Sequence, residues 1–561
     1  MSSLPPQHVQ VLIIGGGPAG SYAASALARE GLEVAVLESA QFPRYHIGES
    51  LIPSVRHYSK FIGAQEKLMQ HGFAPKPGAA IKFAQFKTEG YTDFTAASPD
   101  NSSWNVVRSE FDHILLEHAS SCGASVHQLT RVDELQFSPT EPDRPIAASW
   151  TSSLPAGESQ TKTQGTTSFD YIIDASGRRG ILSTTYRKDR RMAESLKNIA
   201  IWGYWTGTRH YGEGTSRAGA PWFEGLDDRS GWAWHIPVND GTVSVGVVLA
   251  QSAYTAMSRS LRDDGSASSL EDKYRSILKL APGLMKMLES GTLVPKKGAG
   301  EQKETRVRMA SDFSYSAEGY AGPGYRIIGD AAAFIDPFFS SGCHLAFTSA
   351  LSAAASICAS VRGDCTEAEA VAWHSKRVAT SYTRFQVVVL SAYKEIRGEN
   401  IDASGDVDVE SFQRGLAIIR PLIHGASDVG TRLTAAEVDH ALNFCSKAFG
   451  LTTPEQREAV AEHSGLPASV LDVNAPAVNT DEAMRLVQSR SEEQGSEEHQ
   501  ATNGHVLPGE KETRQVVEHA NARRVIHQEW SLHNLEVEGV DGRAIRLERG
   551  NLGLQVLSAE A

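Results

Sequence analysis

The chain has 561 residues, enough for two to four domains of about 100–200 residues each. Its 54 basic and 67 acidic side chains give a formal net charge of −13, which repels phosphate backbones and excludes a general nucleic-acid-binding role. No run of about 18 apolar residues occurs, so we expect no membrane span. Residues 1–7 lack a secretory pattern, and the five cysteines form no C-x-x-C pair; we therefore expect a cytoplasmic protein without a metal site.

The first elements along the chain form a predicted βαβ unit. Val9–Ile14 is a run rich in β-branched residues that stops at Gly15, and small residues dominate from Ala19 to Ala28. A second apolar run, Glu33–Leu37, completes the order of strand, helix and strand.

Further elements follow in chain order. Short or alternating apolar runs predict strands at 79–86, 171–173, 241–249 and 326–328, and longer patterns predict helices at 112–120 and 342–361, with 366–470 mostly helical. Residues 489–512 are rich in Ser, Glu, Gln and Gly, which predicts a flexible linker. After this linker, residues 535–547 alternate around Asp541-Gly542, a dipeptide typical of hairpin turns.

The turn after the first strand has the spacing of a dinucleotide-binding loop. Gly15, Gly17 and Gly20 form G-x-G-x-x-G, with Ala19 inside the helix start. Glycines let the backbone approach a pyrophosphate, and the helix N-terminus offers unpaired N–H groups. Glu38 follows the second strand, where a carboxylate can accept from ribose hydroxyls. The pattern leaves FAD and NAD open, and the alternative is a turn that only permits close packing.

Four elements in order resemble the flavin-dependent monooxygenase superfamily. Its members pair an early glycine loop with a late Gly-Asp, here Gly329-Asp330, whose carboxylate meets the FAD ribityl chain. Residues 174–177, Asp-Ala-Ser-Gly, match the family's middle strand–turn element. Arg108 matches an arginine near the flavin, and Arg44 falls in the segment after the ribose acid. The resemblance implies bound FAD, although Asp330 or Arg108 alone could be a surface charge.

Three further segments resemble flavin-dependent halogenases. The first, residues 231–237 (Gly-Trp-Ala-Trp-His-Ile-Pro), is similar to a WxWxIP signature whose paired indoles wall the flavin off from the organic substrate. The resemblance implies that Trp232, Trp234 and Pro237 separate flavin and substrate. The alternative is that the two indoles, two residues apart, fill one face of a sheet.

The second segment contains a lysine between two prolines. Lys76 matches the lysine that halogenases place at the far end of a tunnel from the flavin, where it passes on an electrophilic halogen. Lys82 is a rival, and the lysine of indole-directed bacterial enzymes aligns at Gly78 instead. We expect Lys76 to be the catalytic residue, and the alternative is an exposed loop lysine.

The third segment, residues 336–345, opens a helix. The N–H groups of Ser341 and Gly342 suit an anion there, and family members bind halide beside the equivalent pair, so we expect both to bind halide and Gly342 also to contact the cofactor. N-capping by Ser340 or Ser341 is the alternative, and both can hold. Tryptophan halogenases have a glutamate where this chain has Phe339, which argues against a tryptophan substrate.

Residues 8–470 resemble fungal halogenases that act on phenolic polyketides. The fold implied is α/β, with a Rossmann-like FAD-binding domain, an inserted mixed β-sheet substrate domain and a mostly helical C-terminal region. The predicted boundaries are 1–365 for the FAD domain, with the insertion at 60–110 and 185–320, then 366–488 for the helical region, 489–512 for the linker and 513–561 for a C-terminal extension.

The activity implied is halogenation, expected to be chlorination, of a phenolic or resorcylic ring. The expected route runs from FADH2 and O2 through a flavin C4a-hydroperoxide and hypohalous acid to Lys76, with chloride or bromide as co-substrate. Because the sequence shows no second nucleotide-binding unit, a separate flavin reductase is expected as partner. The sequence does not identify a general base; His71 and His344 are candidates that also fit structural roles.

Two other functions remain open at this point. One is an aromatic hydroxylase of the same superfamily that reduces its own FAD with NAD(P)H; Trp232, Trp234 and Lys76 favour halogenation over it. The other is a flavoprotein-like scaffold without turnover whose tail recruits partners, which the intact glycine loop and Gly329-Asp330 disfavour.

Overall fold

The computed structural model describes residues 4–87, 89–95, 101–156, 159–263, 269–297, 303–398, 459–462, 464, 466–471, 484–485, 513–520 and 539–557. The linker predicted at 489–512, and most of the helical stretch predicted beyond residue 398, lie outside these residues.

The helices are α1 Pro18–Arg29, α2 Ser54–Ile62, α3 Gln65–His71, α4 Arg108–Ser121, α5 Gln251–Asp263, α6 Leu270–Leu278, α7 Pro282–Leu288, α8 Gly342–Arg362 and α9 Glu367–Arg397. The strands are β1 His8–Ile14, β2 Val34–Leu37, β3 Ala74–Lys76, β4 Gly78–Lys82, β5 Gly90–Asp93, β6 Ser103–Asn105, β7 Ser125–His127, β8 Thr130–Phe137, β9 Pro145–Ala156, β10 Ser159–Asp174, β11 Arg190–Met192, β12 Asn198–Thr206, β13 Trp222–Gly225, β14 Gly231–Pro237, β15 Val243–Ala250, β16 Thr292–Val294, β17 Val307–Ser311, β18 Tyr315–Ala317, β19 Ala321–Gly322, β20 Tyr325–Ile327, β21 Arg543–Arg546 and β22 Gly553–Val556.

The first large sheet is built on the predicted βαβ unit. Its order is β19-β20-β10-β1-β2-β7, and in addition β9 pairs with β10 and β8 pairs with β9. Strands β20, β10, β1, β2 and β7 are parallel neighbours, so their carboxyl ends share one edge. Helices α1, α4 and α8 pack together with this sheet. Ligands of such sheets bind outside the carboxyl ends of the strands, and the glycine loop, Glu38 and Asp330 all follow those ends.

The second large sheet has the order β16-β12-β15-β14-β13-β4-β5, with β17 also paired to β12. It is antiparallel except where β13 runs parallel to β4. All residues of β14 are buried, because one face of the sheet packs toward the dinucleotide-binding sheet and the other is covered by α6 and α7. The indoles of β14 therefore face the first sheet.

A small sheet of β3 and β6 lies beside these two layers and carries Lys76. Ser50 adds an antiparallel bridge to Asn105 on β6. The segment around Ser50 is thereby joined to β6, the partner of the strand that carries Lys76.

Helix α8 is long and apolar enough to cross a membrane, and it is the one such helix in the described part of the chain. Most of it is covered by protein, since 83% of its most apolar window is buried. It packs against α1 and α9 and begins at the segment predicted to hold halide.

Two predicted strand regions differ from the structure. The strand predicted over 79–86 ends at Lys82, because the pairing of β4 with β13 ends at this residue. Beyond it the chain forms a turn, from which the Gln85 side chain donates to Gly225 O. Asp541-Gly542 does form a tight turn, closed by Val540 and Arg543, but the hairpin pairs β21 with β22 across a later turn at 547–552.

Candidate active site

The glycine loop is sterically restricted to glycine at two of its three positions. Gly15 has φ +101°, and a Cβ there would lie 2.3 Å from Ala175 O. A Cβ on Gly20 would lie 1.9 Å from Gly15 O. Helix α1 begins at Pro18 without a side-chain cap, so its first N–H groups are left for a ligand. The loop therefore has the geometry of a pyrophosphate cradle.

Glu38 is held at the end of β2 beside this loop. Its carboxylate accepts hydrogen bonds from Gly16 N at 2.6 Å and Ala40 N at 2.7 Å. The side chain is buried and lines the same cavity as the glycines. Glu38 thus fastens the loop and presents an acceptor at the position where a ribose would lie.

Arg44 and Arg108 are brought together by a carboxylate that the sequence analysis did not identify. Asp112 is fully buried and accepts from Arg44 Nη1 at 2.9 Å, and from Arg108 Nε and Nη2 at 2.8 and 3.1 Å. The two guanidiniums hold the pKa of Asp112 below its usual range even though burial acts in the opposite direction. Its position on α4, four residues after Arg108, was the available signal.

Asp330 lies in the turn after β20 and also lines the cavity. Burial raises its pKa to about 6, and the positive charge of Arg108 opposes that effect. The segment at 174–177 folds around Asp174, which accepts from Ser176 and from Leu182 N. All four elements that resemble the monooxygenases thus meet at one edge of the sheet.

One cavity of about 480 Å³ joins the predicted cofactor residues. It runs from the glycine loop to the indoles and to the start of α8. The predicted residues that line it are Gly15, Gly17, Ala19, Glu38, Arg44, Arg108, Trp232, Trp234, Asp330 and Gly342, whereas Gly20, Lys76, Pro237 and Ser341 are not among them. The restricted glycines, the ribose acceptor and the two arginines are the donor and acceptor set that FAD requires, so the residues fit this cofactor.

Trp232 and Trp234 lie on one face of β14, as the strand alternation requires, with ring centroids 5.6 Å apart. Trp232 Nε1 donates to Tyr393 Oη at 2.9 Å, and Trp234 Nε1 donates to Ser244 Oγ at 3.1 Å. Both indoles are buried and form part of the cavity wall. Pro237 ends β14. The tryptophans therefore fill a sheet face and wall the cavity at once.

Ser341 lies immediately before α8 and is fully buried. Its side chain makes no cap hydrogen bond, and within the described residues its Oγ has no partner. The capping interpretation is therefore wrong for Ser341. An unpartnered buried hydroxyl costs about 1–3 kcal/mol, and a bound anion at the helix N-terminus would remove that cost.

Lys76 is buried, with 1% of its surface exposed. Its Nζ donates to Leu51 O at 2.7 Å and lies 5.3 Å from the centre of the Phe94 ring. Burial lowers its pKa to about 7. Lys82 is half-buried and donates to Gln85 Oε1 at 3.1 Å. The amine of Lys76 is thus enclosed and partly neutral near pH 7, whereas Lys82 is only half-buried.

The two candidate histidines have other partners. His71 is exposed and pairs with Glu110 Oε2 at 2.9 Å. His344 is buried in α8, where its Nδ1 shares a hydrogen bond of 2.9 Å with Ser54 Oγ. These contacts give each imidazole a structural role.

The fold and the cavity define a flavoprotein of the dinucleotide-binding class. A family model described as tryptophan halogenase matches residues 10–154 and 102–400. The chain belongs to the flavin-dependent halogenases, and the name of the family model does not assign tryptophan as its substrate.

Curated relatives match nearly the whole chain. Flavin-dependent halogenase armH1 of Armillaria mellea is 45% identical over 554 residues, which is 98% of each chain. Flavin-dependent halogenase armH2 of the same fungus is 48% identical over 83% of this chain and 88% of the relative. Sulochrin halogenase gedL of Aspergillus terreus is 39% identical over 98% of this chain and 94% of the relative.

Solved structures show the same fold. The myxobacterial chondrochloren halogenase CndH superposes with a TM-score of 0.60 at 24% identity, covering 80% of this chain and 98% of that chain. The flavin-dependent halogenase CmlS gives a TM-score of 0.58 at 27% identity, covering 82% of this chain and 79% of that chain.

These findings confirm the predicted α/β flavoprotein fold, the halogenase family and the enzyme class. The protein is a flavin-dependent halogenase of fungal secondary metabolism, and its family uses reduced FAD and a halide. The hydroxylase and scaffold alternatives are therefore wrong.

Proposed function

We propose that the protein chlorinates a phenolic or resorcylic polyketide ring, using FADH2 from a separate reductase, O2 and chloride, with Lys76 delivering the halogen. One observation carries this proposal most directly. The buried amine of Lys76 donates to the carbonyl of Leu51, the residue after Ser50, which lines the cofactor cavity, while Lys76 itself is not a lining residue. One relative is named sulochrin halogenase, which supports an aromatic substrate outside the tryptophan class.

The cofactor would be held by the residues of the sheet edge. The N–H groups at the start of α1 would hold the pyrophosphate, Glu38 would accept from the ribose, and Asp330 would hold the ribityl chain, since Glu38 and Asp330 line the cavity and the helix start has no side-chain cap. Arg44 and Arg108 are fixed by Asp112 and keep their positive charge beside the cavity. When bound, reduced FAD supplies with O2 the oxidising power that turns halide into hypohalous acid.

Ser341 and Gly342 would hold the halide. The amide groups at the uncapped N-terminus of α8 would donate to an anion, and the unpartnered Ser341 hydroxyl would add a donor. Gly342 lines the cavity. A halide held here would border the cofactor cavity.

Trp232 and Trp234 would exclude the phenol from the flavin. Both rings are buried and hydrogen-bonded at Nε1, so their positions are fixed. A phenol that touched the oxidant directly would be hydroxylated, and the wall leaves only the small hypohalous acid able to pass.

Lys76 would receive that acid on the substrate side. An ammonium can donate a hydrogen bond to hypohalous acid and polarise it, and a neutral amine can form a haloamine with release of water. With a pKa of about 7 both forms are populated at neutral pH. Halogen then replaces a proton on the ring, ortho or para to a hydroxyl that donates electron density.

A separate reductase is proposed because the described part of the chain holds one glycine loop of the dinucleotide type. Consumption of NADH should therefore require an added flavin reductase. A purified enzyme that oxidises NADH alone would contradict this part of the proposal.

The test is Lys76→Met, which keeps most of the aliphatic volume and removes the amine. With reductase, FAD, NADH, chloride and a resorcinol-type substrate, we expect chlorinated product, identified by its isotope doublet in mass spectra, to fall to the detection limit. FAD binding and NADH-driven O2 consumption should persist. Lys82→Met is the matched control and should halogenate like the wild type. Full halogenation by Lys76→Met would refute the role of the lysine, and preference for bromide in a mixed-halide assay would refute chlorination.

A further inference from the structure

The proposed reaction consumes a proton within the protein. Its balance is FADH2 + O2 + Cl− + H+ → FAD + HOCl + H2O, in which FADH2 and chloride each give two electrons and O2 takes four. The oxygen atoms leave as hypochlorous acid and water. The later exchange of ring hydrogen for chlorine by HOCl releases water and needs no further proton. One proton per turnover must therefore enter the cofactor cavity.

A line of hydrogen bonds leads to the wall of that cavity. Trp202 Nε1 donates to Tyr45 Oη at 2.8 Å, and Tyr45 Oη lies 3.0 Å from Tyr204 Oη. Tyr204 Oη donates to Glu49 Oε1 at 2.7 Å. Glu49 and Trp202 line the cavity, and the two tyrosines do not.

The donors of this line all point the same way. Because Tyr204 gives its proton to Glu49, its oxygen must accept from Tyr45. Tyr45 in turn accepts from Trp202, whose indole N–H has no lone pair to take a proton back. The mobile protons therefore run from Tyr45 through Tyr204 to Glu49, and Trp202 only holds the Tyr45 hydroxyl in place.

The line spans from a partly exposed ring to a buried carboxyl. Tyr45 is half-buried, while Tyr204 and Glu49 are buried. The backbone fixes the inner end, since Glu49 O accepts from Val106 N at 2.7 Å and Ser50 bridges to β6. The backbone of Glu49 is thus fixed independently of the side-chain hydrogen bond to Tyr204.

Burial raises the pKa of Glu49, and the Tyr204 hydrogen bond together with nearby positive charge opposes this effect. The pKa values of both tyrosines are raised by burial and by Glu49, so neither ring is stable as a free phenolate. Three positively charged groups face the line. Lys296 lies 4.1 Å from the Tyr204 ring centre and pairs with Asp240, and Arg308 lies 4.3 Å from the Tyr45 ring centre. The third, Arg108, pairs with Asp112.

We propose that Tyr45, Tyr204 and Glu49 form a relay that carries the consumed proton into the cofactor cavity. Glu49 gives its proton to the cavity and is reprotonated by Tyr204, which takes a proton from Tyr45 in the same movement. Tyr45 is replenished from solvent. The relay deepens the proposed function by assigning its proton supply, and it rests on that function.

Glu49→Gln separates transport from structure. The glutamine still offers an oxygen to Tyr204 but cannot carry a proton. We expect product formation to fall about 100-fold, with FAD affinity unchanged within about twofold. Tyr204→Phe interrupts the relay and should lower the rate and enlarge the solvent deuterium isotope effect on product formation. A purely structural network predicts that Glu49→Gln remains close to the wild type.

Tyr274→Phe is the matched control for Tyr204→Phe. Tyr274 is a buried tyrosine of the same domain, accepts from Trp205 Nε1 and donates to Val245 O, and does not line the cavity. It should leave the isotope effect unchanged. Equal pH profiles and isotope effects for Tyr204→Phe and Tyr274→Phe would overturn the relay.

Infrared spectroscopy of the flavin-free protein tests the same relay without a rate measurement. Infrared spectra of the flavin-free protein should show a buried carboxyl that titrates above the usual range of glutamate, disappears in Glu49→Gln and shifts in Tyr204→Phe. An unshifted band in Tyr204→Phe would also overturn the relay. A wild type that makes no halogenated product would instead overturn the proposed function, so the two failures are distinguishable.

Discussion

Lys76 is the residue for which function and stability conflict most directly. Its amine is enclosed, and the contacts that the structure gives it are a carbonyl and an aromatic ring. No carboxylate pairs with it among the described residues. Burying a charged amine without an anionic partner is unfavourable, and the lowered pKa of Lys76 reflects this unfavourable burial. The protein tolerates it at a place where a partly neutral amine is chemically useful.

Replacing Lys76 by methionine should therefore stabilise the fold at neutral and lower pH. Between about pH 7 and 10 the unfolded chain holds the lysine proton and the folded protein does not, so wild-type stability rises with pH across that window. The methionine variant has no amine to titrate and lacks this pH dependence of stability. We expect Lys76→Met to be more stable by up to about 5 kcal/mol near pH 6, and the difference to shrink toward pH 10.

Urea unfolding of both proteins at several pH values measures this difference. Lys82→Met, at a half-buried lysine with an amide partner, serves as the comparison and should show no such trend. A difference for Lys76→Met that stayed constant from pH 6 to 10 would contradict the cost assigned to burial.

At the scale of elements, helix α9 holds the indole wall in place. Tyr393 on α9 accepts from Trp232 Nε1 at 2.9 Å and from Asn198 Nδ2 at 2.7 Å, and donates to Asp336 Oδ2 at 2.8 Å. Burial raises the pKa of Asp336 to about 6, and the hydrogen bonds from Asn198 and Tyr393 oppose this effect. One hydroxyl thereby connects β14, α9 and the segment that leads into α8.

Tyr393→Phe should loosen this connection. The change leaves the Trp232 N–H without its partner and removes one of the two hydrogen bonds to Asp336 Oδ2, which keeps the bond from Asn198 Nδ2 at 3.0 Å. We expect a loss of about 1–3 kcal/mol of stability. A less firmly held wall should also let oxidant escape, so hydrogen peroxide or hypohalous acid per NADH consumed should rise while chlorinated product falls. Tyr171→Phe, which removes a half-buried hydroxyl bonded to Ser360, is the control and should keep the wild-type ratio.

Local patterns predict the elements that local forces determine. The βαβ unit follows from apolar periodicity and the glycine loop from steric limits at Gly15 and Gly20, both readable in the sequence. Resemblance to a family adds Lys76 and the indoles. Neither source identifies Asp112 or Tyr393, because a charged or aromatic residue on a helix gains its role only from partners far away in the chain.

The same limit applies to the relay. Tyr45 and Glu49 lie close in sequence, but Tyr204 lies on β12 and reaches Glu49 only because the two large sheets pack together. The turn that closes the terminal hairpin was misplaced for a related reason, since docking against the rest of the protein selects which residues pair.

At the scale of the whole molecule, the C-terminal hairpin packs on the dinucleotide-binding domain more than 500 residues from the strand where that domain begins. Ile545, Leu552 and Leu554 are buried in the same apolar cluster as α1 and α8. Glu30 at the end of α1 accepts from Gly550 N and Leu552 N, and Arg362 at the end of α8 pairs with Glu30.

Further polar contacts tie the hairpin to α9 and to the turn before it. Trp373 Nε1 donates to Arg543 O at 3.0 Å, and Arg546 pairs with Asp364 at 2.7 Å. Since α8 also presents the proposed halide site at its other end, the hairpin supports the helix that the chemistry uses. We therefore expect the terminal hairpin to stabilise the cofactor-binding unit.

Leu554→Ala tests that dependence. Removing a fully buried leucine side chain should cost about 2–5 kcal/mol, and because the cluster includes α1 and α8 the loss should lower FAD affinity together with the melting temperature. Val556→Ala, two residues along the same strand and 69% exposed, should change neither by more than a small amount. Thermal unfolding with and without FAD measures both effects. A variant with the wild-type melting temperature would mean that the hairpin packs on the domain without stabilising it, whereas lower stability with intact FAD affinity would separate the hairpin from the cofactor site.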